Sequence, residues 1–235
     1  MKKTISFLLL LVFCIMNCIT LHAKTTGIGV PAKKSYVKKQ YSGRVIVFVG
    51  DSRVMMSTSG KGHKKVRDNF YMCWVNGGNV TVLKKNQKLT PYLKKAIDKY
   101  RKRCVVVFNM GVNGNSSPKK NAKRIIKIYR RWMREYPDVP FYVMSVNRTI
   151  ETSGPYVNNQ VIKVNRYLKN EYDPKGIYID YYRYLREKGI MNNNGKGMKD
   201  KYHYKWSTSR KIMQYVRDTV EKKEEEKRTN VQSAR

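Results

Sequence analysis

Short unbroken apolar runs alternate along the chain with longer stretches in which apolar residues recur every three or four positions. Unbroken runs of roughly four to eight apolar residues are typical of strands buried on both faces, and the periodic stretches are typical of amphipathic helices. The predicted strands are 44–49, 69–75, 104–108, 141–146 and 177–180. The predicted helices are 90–103, 117–136, 155–172 and 206–222. This alternation predicts an α/β domain with a parallel sheet covered by helices on both faces.

Polar and glycine-containing segments follow the ends of the predicted strands. They are 50–52 after the first strand, 76–78 after the second, 111–113 after the third and Asn147 after the fourth. In parallel α/β sheets the residues that bind ligands and perform chemistry gather beyond the carboxyl ends of the strands. We therefore expect the functional site at this edge of the sheet.

The first 23 residues have the layout of a secretory signal peptide. Lys2 and Lys3 precede an apolar run over 5–19, and Ala23 ends a plausible cleavage site. Two alternatives stay open: a retained membrane anchor, and a lipoprotein processed at Cys18. The apolar run is shorter than the roughly 18 residues expected of a spanning helix, which favours cleavage. The prediction is therefore a secreted protein, with possible association with the cell surface.

Composition divides the rest of the chain into three parts. Residues 24–43 form a basic lead-in, and 44–222 contain all the predicted strands and helices. Residues 223–235 form a charged tail that we expect to be frayed. Without residues 1–23 the chain has 212 residues, which is enough for one domain with a substantial core.

The chain is strongly basic, with a formal net charge of +34, or +32 without the two lysines of the leader. Such a charge favours polyanionic partners. Export makes nucleic acid a poor candidate and favours anionic cell-wall polymers, acidic polysaccharide or lipid headgroups. The alternative is a solvated basic surface that only aids solubility.

Ser52 follows the first buried strand, at a point where a helix is expected to begin. A serine nucleophile needs a general base, a group that orients the base and N–H donors for the oxyanion. Asp200 and His203 supply a carboxylate and an imidazole three residues apart, a spacing that lets them lie side by side in a turn. His22 lies in the leader and His63 in a lysine- and glycine-rich loop. The alternative for Ser52 is an ordinary helix N-cap.

Gly78 and Asn113 are the candidate oxyanion donors, together with the backbone N–H of Ser52. A glycine at a strand end lets a backbone N–H approach a ligand closely, and an asparagine amide can donate a further hydrogen bond. Gly77 is an alternative to Gly78. Each glycine, and Asn113 as well, would also suit a plain turn.

These segments resemble, in order, the four sequence blocks of the SGNH/GDSL hydrolases. The blocks are FVGDSR, a glycine after the second strand, GVNG after the third strand and DKYHY near the C-terminus. The stretches NMGVNGN, REYPDVPFYVMSVN and IYIDYYRYL are similar to a secreted bacterial branch of that family. The resemblance covers residues 44–218. One departure is Gly114, where the family usually has aspartate, and the absence of G-x-S-x-G argues against an ordinary α/β-hydrolase.

The resemblance implies a flavodoxin-like, three-layer α/β/α sandwich with a five-stranded parallel sheet in the order 2-1-3-4-5. It also implies ester hydrolysis through an acyl-enzyme, with Ser52 as nucleophile, His203 as base and Asp200 orienting the histidine. Ser52, Gly78 and Asn113 would form the oxyanion hole. No metal or cofactor is implied.

The substrate that we expect is a small acyl ester, such as acetyl on a carbohydrate or cell-wall polymer, and the alternative substrate is a lipid ester. The alternative function is that of a non-catalytic or weakly active basic protein that binds anionic cell-surface polymers. Three aromatic residues around the histidine either stack on sugar rings or belong to the core: Tyr202, Tyr204 and Trp206. The sequence leaves the oligomeric state open.

Cys73 and Cys104 are the two cysteines outside the leader. Export would permit a disulfide between them. The strand order implied by the resemblance separates them by two strand spacings, about 9–10 Å, whereas bridged cysteines need Cα atoms within about 7 Å. We therefore expect two free, buried thiols.

Overall fold

The computed structural model describes residues 43–57, 70–74, 89–113, 117–148, 155–192 and 194–233. Several predictions lie outside these residues and stay predictions. They concern the leader, the lead-in up to residue 42, and His63, Gly77, Gly78 and Gly114.

Five parallel strands form one sheet in the order β2-β1-β3-β4-β5. This confirms the predicted fold class and strand order. β1 lies between β2 and β3, and its last residue, Gly50, pairs with Trp74 on one side and Asn109 on the other. The strands are β1 (Val45–Gly50), β2 (Phe70–Trp74), β3 (Cys104–Asn109), β4 (Phe141–Met144) and β5 (Tyr178–Ile179).

Helices cover both faces of the sheet. Successive strand residues point to opposite faces, so Val47 and Val49 contact one hydrophobic core and Ile46 and Phe48 contact the other. Helices α2, α3 and α4 contribute to the first core, and α1, α5 and α6 to the second. The helices are α1 (Ser52–Met56), α2 (Leu89–Tyr100), α3 (Pro118–Glu135), α4 (Pro155–Tyr172), α5 (Tyr181–Glu187) and α6 (Trp206–Ser233).

Helix α3 shows how the sequence pattern becomes structure. Ser117 caps its first turn by accepting a hydrogen bond from the Lys120 N–H at 3.4 Å, and proline occupies the first helical position. Its inner face carries Tyr129 and Trp132, whose rings stack on Phe108 of β3 with centroids 3.9 and 5.1 Å away. Aromatic packing against the sheet therefore buries the inner face of α3, and polar residues occupy its outer face.

Two elements differ from the sequence prediction. Helix α5 was not predicted; Asp180 caps it by accepting a hydrogen bond from the Arg183 N–H at 3.2 Å. Helix α6 continues to Ser233, although we expected it to end near residue 222. The continuation is held by Glu224, which is buried in spite of its charged sequence neighbours.

Glu224 joins the last helix to the start of the sheet. Its carboxylate accepts hydrogen bonds from the Tyr142 hydroxyl at 2.6 Å, the Arg44 guanidinium at 2.8 Å and the Lys227 ammonium at 3.0 Å. Burial acts to raise the pKa of Glu224, but the hydrogen bonds from Tyr142 and Lys227 and the nearby positive charges lower it on balance. The carboxylate is therefore held in its charged form, and its long-range bonds to Arg44 and Tyr142 attach α6 to the β1 and β4 segments.

The two cysteines are free and buried, as predicted. Cys73 pairs in register with Val49 and Cys104 with Val45, so they lie on opposite sides of β1 and four residues apart along it. That displacement is about 13 Å along the strands, at right angles to the two strand spacings, and it widens the separation further. Burial raises the pKa of the Cys104 thiol to about 12 and raises that of Cys73 as well. Both thiols therefore behave as small apolar core groups.

Among the residues that the structure describes, no helix has the length and apolar character needed to cross a membrane.

Candidate active site

The turn between β1 and α1 places Ser52 at the carboxyl edge of the sheet. A Cβ at Gly50 would lie 2.3 Å from Val54 Cγ2 and 2.6 Å from the backbone oxygen of Asn109, so only glycine fits there. Asp51 is buried, and its carboxylate accepts a hydrogen bond from the Arg53 N–H at 2.9 Å. The turn therefore presents Ser52, the first residue of α1, with 9% of its surface exposed.

The imidazole of His203 lies against Ser52. Its Nε2 is 3.1 Å from Ser52 Oγ, and its Nδ1 is 2.9 and 3.0 Å from the two carboxylate oxygens of Asp200. The structure therefore brings together the three residues that the sequence proposed as nucleophile, base and orienting carboxylate. In this arrangement the imidazole can accept the Ser52 proton while Asp200 fixes its tautomer.

A closed turn before α6 holds Asp200 beside His203. The Lys199 N–H donates to the His203 carbonyl at 2.8 Å, and Met198 and Tyr204 form an antiparallel bridge. Inside the turn, Asp200 Oδ1 accepts hydrogen bonds from the backbone N–H groups of Tyr202 and His203, each at 2.8 Å. The carboxylate is therefore oriented by the backbone as well as by the imidazole.

The hydrogen bonds to Asp200 also set its charge. Partial burial acts to raise the pKa of Asp200, but the hydrogen bonds from Tyr202 and His203 outweigh this effect and lower it below the ordinary value. By contrast, burial raises the pKa of Asp51, against the lowering influence of Arg53. Asp200 is therefore fully ionised at neutral pH.

The proposed oxyanion donors are only partly within the described residues. Asn113 is partly exposed and follows β3, whose last residue Asn109 pairs with Gly50 just before Ser52. It therefore lies at the same edge of the sheet as the serine. Gly78 and its alternative Gly77 lie outside the described residues, so the composition of the oxyanion hole remains a prediction.

Sequence reasoning missed Arg53, the residue after Ser52. Only 2% of its surface is exposed. Its guanidinium donates to the backbone oxygens of Asn147 at 2.6 Å, Tyr202 at 2.8 Å and Arg148 at 3.2 Å. The chain contains 50 lysines and arginines, so one buried arginine cannot be distinguished by composition. Its position next to Ser52, three residues after a buried strand, was the available signal.

A pair of tyrosines completes the structure behind the site. The hydroxyls of Tyr181 and Tyr204 are 2.7 Å apart, and Tyr181 also accepts a hydrogen bond from the Asn147 N–H at 3.0 Å. The centroid of the Tyr204 ring lies 5.2 Å from the Arg53 guanidinium carbon. Because Tyr204 is buried, this aromatic residue belongs to the core. Tyr202, in contrast, is 43% exposed beside His203.

Trp206 is partly buried and packs against the core that contains α5 and α6. Of the three aromatic residues considered as sugar contacts, Tyr202 is therefore the one that presents an exposed ring. Within the described residues no group of three or more histidine, cysteine, aspartate or glutamate side chains could hold a metal ion.

Several solved structures of other proteins superpose on this fold. A member of the lipolytic protein G-D-S-L family from Veillonella parvula superposes with a TM-score of 0.55 and 16% identity, over 74% of this chain and 96% of that chain. A lipase/acylhydrolase from Enterococcus faecalis superposes with a TM-score of 0.54 and 12% identity, over 76% and 95%. The acetyl xylan esterase AlAXEase gives a TM-score of 0.51 and 13% identity, over 75% and 99%.

No family model matches the sequence, and no curated protein matches it. The structural likeness nevertheless extends over nearly the whole length of each of these three proteins. The chain has the fold of the SGNH/GDSL hydrolases.

Proposed function

We propose that this protein is a serine esterase. His203 Nε2 takes the proton of Ser52 Oγ as the oxygen attacks the ester carbonyl, and the imidazolium then gives that proton to the leaving alcohol. A water molecule, deprotonated by His203, hydrolyses the acyl-enzyme and restores Ser52. The observation that carries the proposal is the continuous contact from Ser52 Oγ through the imidazole to the ionised Asp200.

The negative charge that develops on the carbonyl oxygen needs preorganised N–H donors. The backbone N–H of Ser52, the side-chain amide of Asn113 and the backbone N–H of Gly78 are the groups that we assign to this role. Asn113 follows the strand that pairs with β1, which supports its assignment. Removal of one such donor costs about 2.7–4 kcal/mol of barrier in related sites.

The substrate that we propose is a small acyl ester on a carbohydrate. AlAXEase, whose fold this chain shares, is an acetyl xylan esterase. Tyr202 adds an exposed aromatic ring next to His203, and aromatic faces suit the apolar faces of sugar rings. The second candidate is a lipid ester, which the likeness to the lipolytic protein of Veillonella parvula favours.

The proposed place of action is outside the cell. The basic start, the apolar run and the cleavage site in residues 1–23 support export. The net charge of +32 without the leader supports retention of the exported protein at an anionic polymer of the cell surface.

Incubation of the protein with p-nitrophenyl esters and with a serine-directed sulfonyl fluoride tests this proposal. We expect hydrolysis of the acetate and a single sulfonyl adduct on the peptide that contains Ser52, formed in step with loss of turnover. Protein unfolded in urea serves as the control and should not be labelled. Turnover without labelling of Ser52, or no turnover of acetate, butyrate or longer esters, would contradict the proposal.

Preference among the esters identifies the substrate class. Faster hydrolysis of acetate, and of acetylated xylo-oligosaccharides, would support the carbohydrate ester. Faster hydrolysis of esters with eight or more acyl carbons would support the lipid ester instead.

A further inference from the structure

Among the helices that the structure describes, α3 carries the largest excess of positive charge. Helix α3 carries eight lysines and arginines and one acidic residue, Glu135. Helix α6, on the opposite face, is longer but carries seven basic and five acidic residues. All eight basic side chains of α3 are exposed: Lys119, Lys120, Lys123, Arg124, Lys127, Arg130, Arg131 and Arg134.

Four of these side chains form a row beside a cleft. Residues spaced by three or four positions lie on one side of a helix, about 5–6 Å apart. Lys123, Lys127, Arg130 and Arg134 have this spacing, and they line a cleft of about 520 Å³ between α3 and α4. The row extends over about 16 Å, because each helical residue adds about 1.5 Å.

One acidic residue lines the cleft with them. Glu171 of α4 accepts two hydrogen bonds from Arg130, at 2.6 and 3.1 Å, and one from Lys175. Its charge is therefore already matched. Within the described part of the chain, Lys123, Lys127 and Arg134 take part in no ion pair. These three cations are available to a ligand.

We propose that the α3–α4 cleft binds a polymer chain that carries phosphate groups along its length. A row of cations at regular intervals complements a chain with regularly spaced anions, and the guanidinium of Arg134 can bind phosphate through two hydrogen bonds. The Tyr167 side chain is 36% exposed in the same cleft and offers an aromatic surface to the uncharged part of a repeat unit. A cleft between two helices suits a single chain better than a flat bilayer surface.

This inference rests on the proposed retention at an anionic polymer and is independent of the proposed esterase chemistry. α3 follows β3 along the chain, so its first residue is near the carboxyl edge of the sheet and its last residues lead away from that edge. The cleft is therefore separate from Ser52. Binding at the cleft would hold the enzyme on a polymer without occupying its active site.

Binding of inorganic polyphosphate at several salt concentrations tests the cleft. The test variant replaces Lys123, Lys127 and Arg134 with glutamine. We expect its dissociation constant to rise at least tenfold, and the slope of log affinity against log salt to decrease by about two to three, one for each lost contact. A matched control replaces an equal set of exposed residues on α6 with glutamine: Lys211, Lys222 and Arg228. The control should change the dissociation constant by less than threefold.

Three outcomes would overturn the inference. They are equal weakening by both triple variants, absence of polyphosphate binding by the wild type at 50 mM salt, and stronger cleft-dependent binding to anionic phospholipid vesicles than to polyphosphate. Hydrolysis of p-nitrophenyl acetate should be the same in the wild type and both variants. If none of the three proteins, the wild type included, hydrolysed p-nitrophenyl acetate, the esterase proposal would be contradicted and the binding result would still stand.

A second inference concerns Arg53 and rests on its own set of contacts. We infer that Arg53 is a positioning residue that holds His203 at the distance of a hydrogen bond from Ser52. Arg53 directly follows Ser52 along the chain, and its Nε donates to the backbone oxygen of Tyr202, the neighbour of His203. The same guanidinium is fixed from the other side by the backbone oxygens of Asn147 and Arg148.

One side chain thus connects the helix that carries the nucleophile, the segment after β4 and the turn that carries the histidine. Because the guanidinium is buried and charged, each of these hydrogen bonds is stronger than a neutral one in water. Removal of the guanidinium would free the histidine turn to move relative to Ser52. A displacement of about 1 Å at a catalytic pair can reduce the rate about 100-fold.

Arg53→Ala should therefore lower kcat for p-nitrophenyl acetate about 100-fold and change KM by less than threefold. Arg53→Lys should retain an intermediate kcat, because an ammonium can reach some of the same carbonyls. Hydrogen exchange of the backbone amides in residues 199–205 should become faster in Arg53→Ala. Tyr142→Phe, which loses a buried hydrogen bond at the far end of the sheet, is the control for simple destabilisation.

A loss of kcat no greater than that of Tyr142→Phe, or unchanged exchange of residues 199–205, would overturn the role of Arg53. The exchange measurement decides the question even in the absence of turnover. Failure of the esterase proposal is recognised separately, by wild-type turnover that does not depend on Ser52. If Arg53→Ala does not fold, Arg53→Lys is measured in the same two ways.

Discussion

Replacement of Ser52 with alanine should reduce ester hydrolysis by about 10⁴-fold or more and leave the fold intact. The hydroxyl oxygen is the atom that would be acylated, so without it no acyl-enzyme can form. The effect on stability should be small, because the side chain is small and loses one hydrogen bond, to His203. A loss of about 1 kcal/mol corresponds to a shift of roughly 2–4 °C in Tm. The measurements are kcat/KM for p-nitrophenyl acetate and thermal unfolding followed by circular dichroism.

Ser57→Ala is the matched control for this variant. Ser57 is also buried and lies directly after the last residue of α1, where its hydroxyl donates to the Arg53 carbonyl at 3.0 Å. It should lose a similar amount of stability and keep its activity within a few-fold of the wild type. Wild-type turnover in a correctly folded Ser52→Ala protein would remove the mechanism altogether.

Asp200→Asn should lower kcat by about 10³- to 10⁴-fold with little change in KM. The asparagine oxygen can still accept the backbone N–H groups of Tyr202 and His203, so the turn should keep its shape. The asparagine amide, however, cannot stabilise an imidazolium, and it can hold the imidazole in the tautomer that presents N–H to Ser52. We expect the smaller end of the range, because the Asp200 side chain is 47% exposed and water can partly replace it.

Comparison with Asp200→Ala separates orientation from charge. The alanine variant loses the backbone hydrogen bonds as well, so its loss of Tm should exceed that of Asp200→Asn. The lowered pKa of Asp200 keeps its carboxylate ionised at pH values above its ordinary pKa of 3.8, so protonation of this group should not limit wild-type activity near neutral pH. Asp200→Asn activity within threefold of the wild type would show that the carboxylate has no part in the reaction.

Much of the fold could be predicted because its signals are local. The unbroken apolar run of β1 predicts a strand that is buried on both faces, and the periodic pattern of α3 predicts a helix that is buried on one face. Both signals are local, because an element must be apolar where it contacts the neighbouring layer. The pairing of Asp200 with His203 was also local, because the two residues lie in one turn. The strand order required the resemblance to a known family, since β1 touches strands from two distant parts of the chain.

The features that sequence reasoning missed depend on contacts between distant segments. Residues 223–233 read as a charged tail, yet they continue α6, and Glu224 within them contacts Arg44 before β1 and Tyr142 of β4. The sequence does not distinguish Arg53 from the other basic residues, because the carbonyls that its guanidinium contacts belong to two distant segments of the chain. Tyr202 and Tyr204 lie on either side of His203 in the sequence, yet Tyr202 is exposed and Tyr204 is buried in the core. Only the tertiary structure distinguishes them.

The ion pair between Arg44 and Glu224 has a consequence for how the protein could be attached to a surface or a partner. Arg44 immediately precedes β1, whereas Ser52 lies beyond its opposite end, about 20 Å away for six residues of strand. The polypeptide enters the described domain at this corner, and α6 reaches the same corner through Glu224. A tether joined through residues 1–42 would therefore meet the domain on the side away from the serine. A tag, a fusion partner or a surface anchor joined at that corner would be attached away from Ser52 and would leave the candidate active site uncovered.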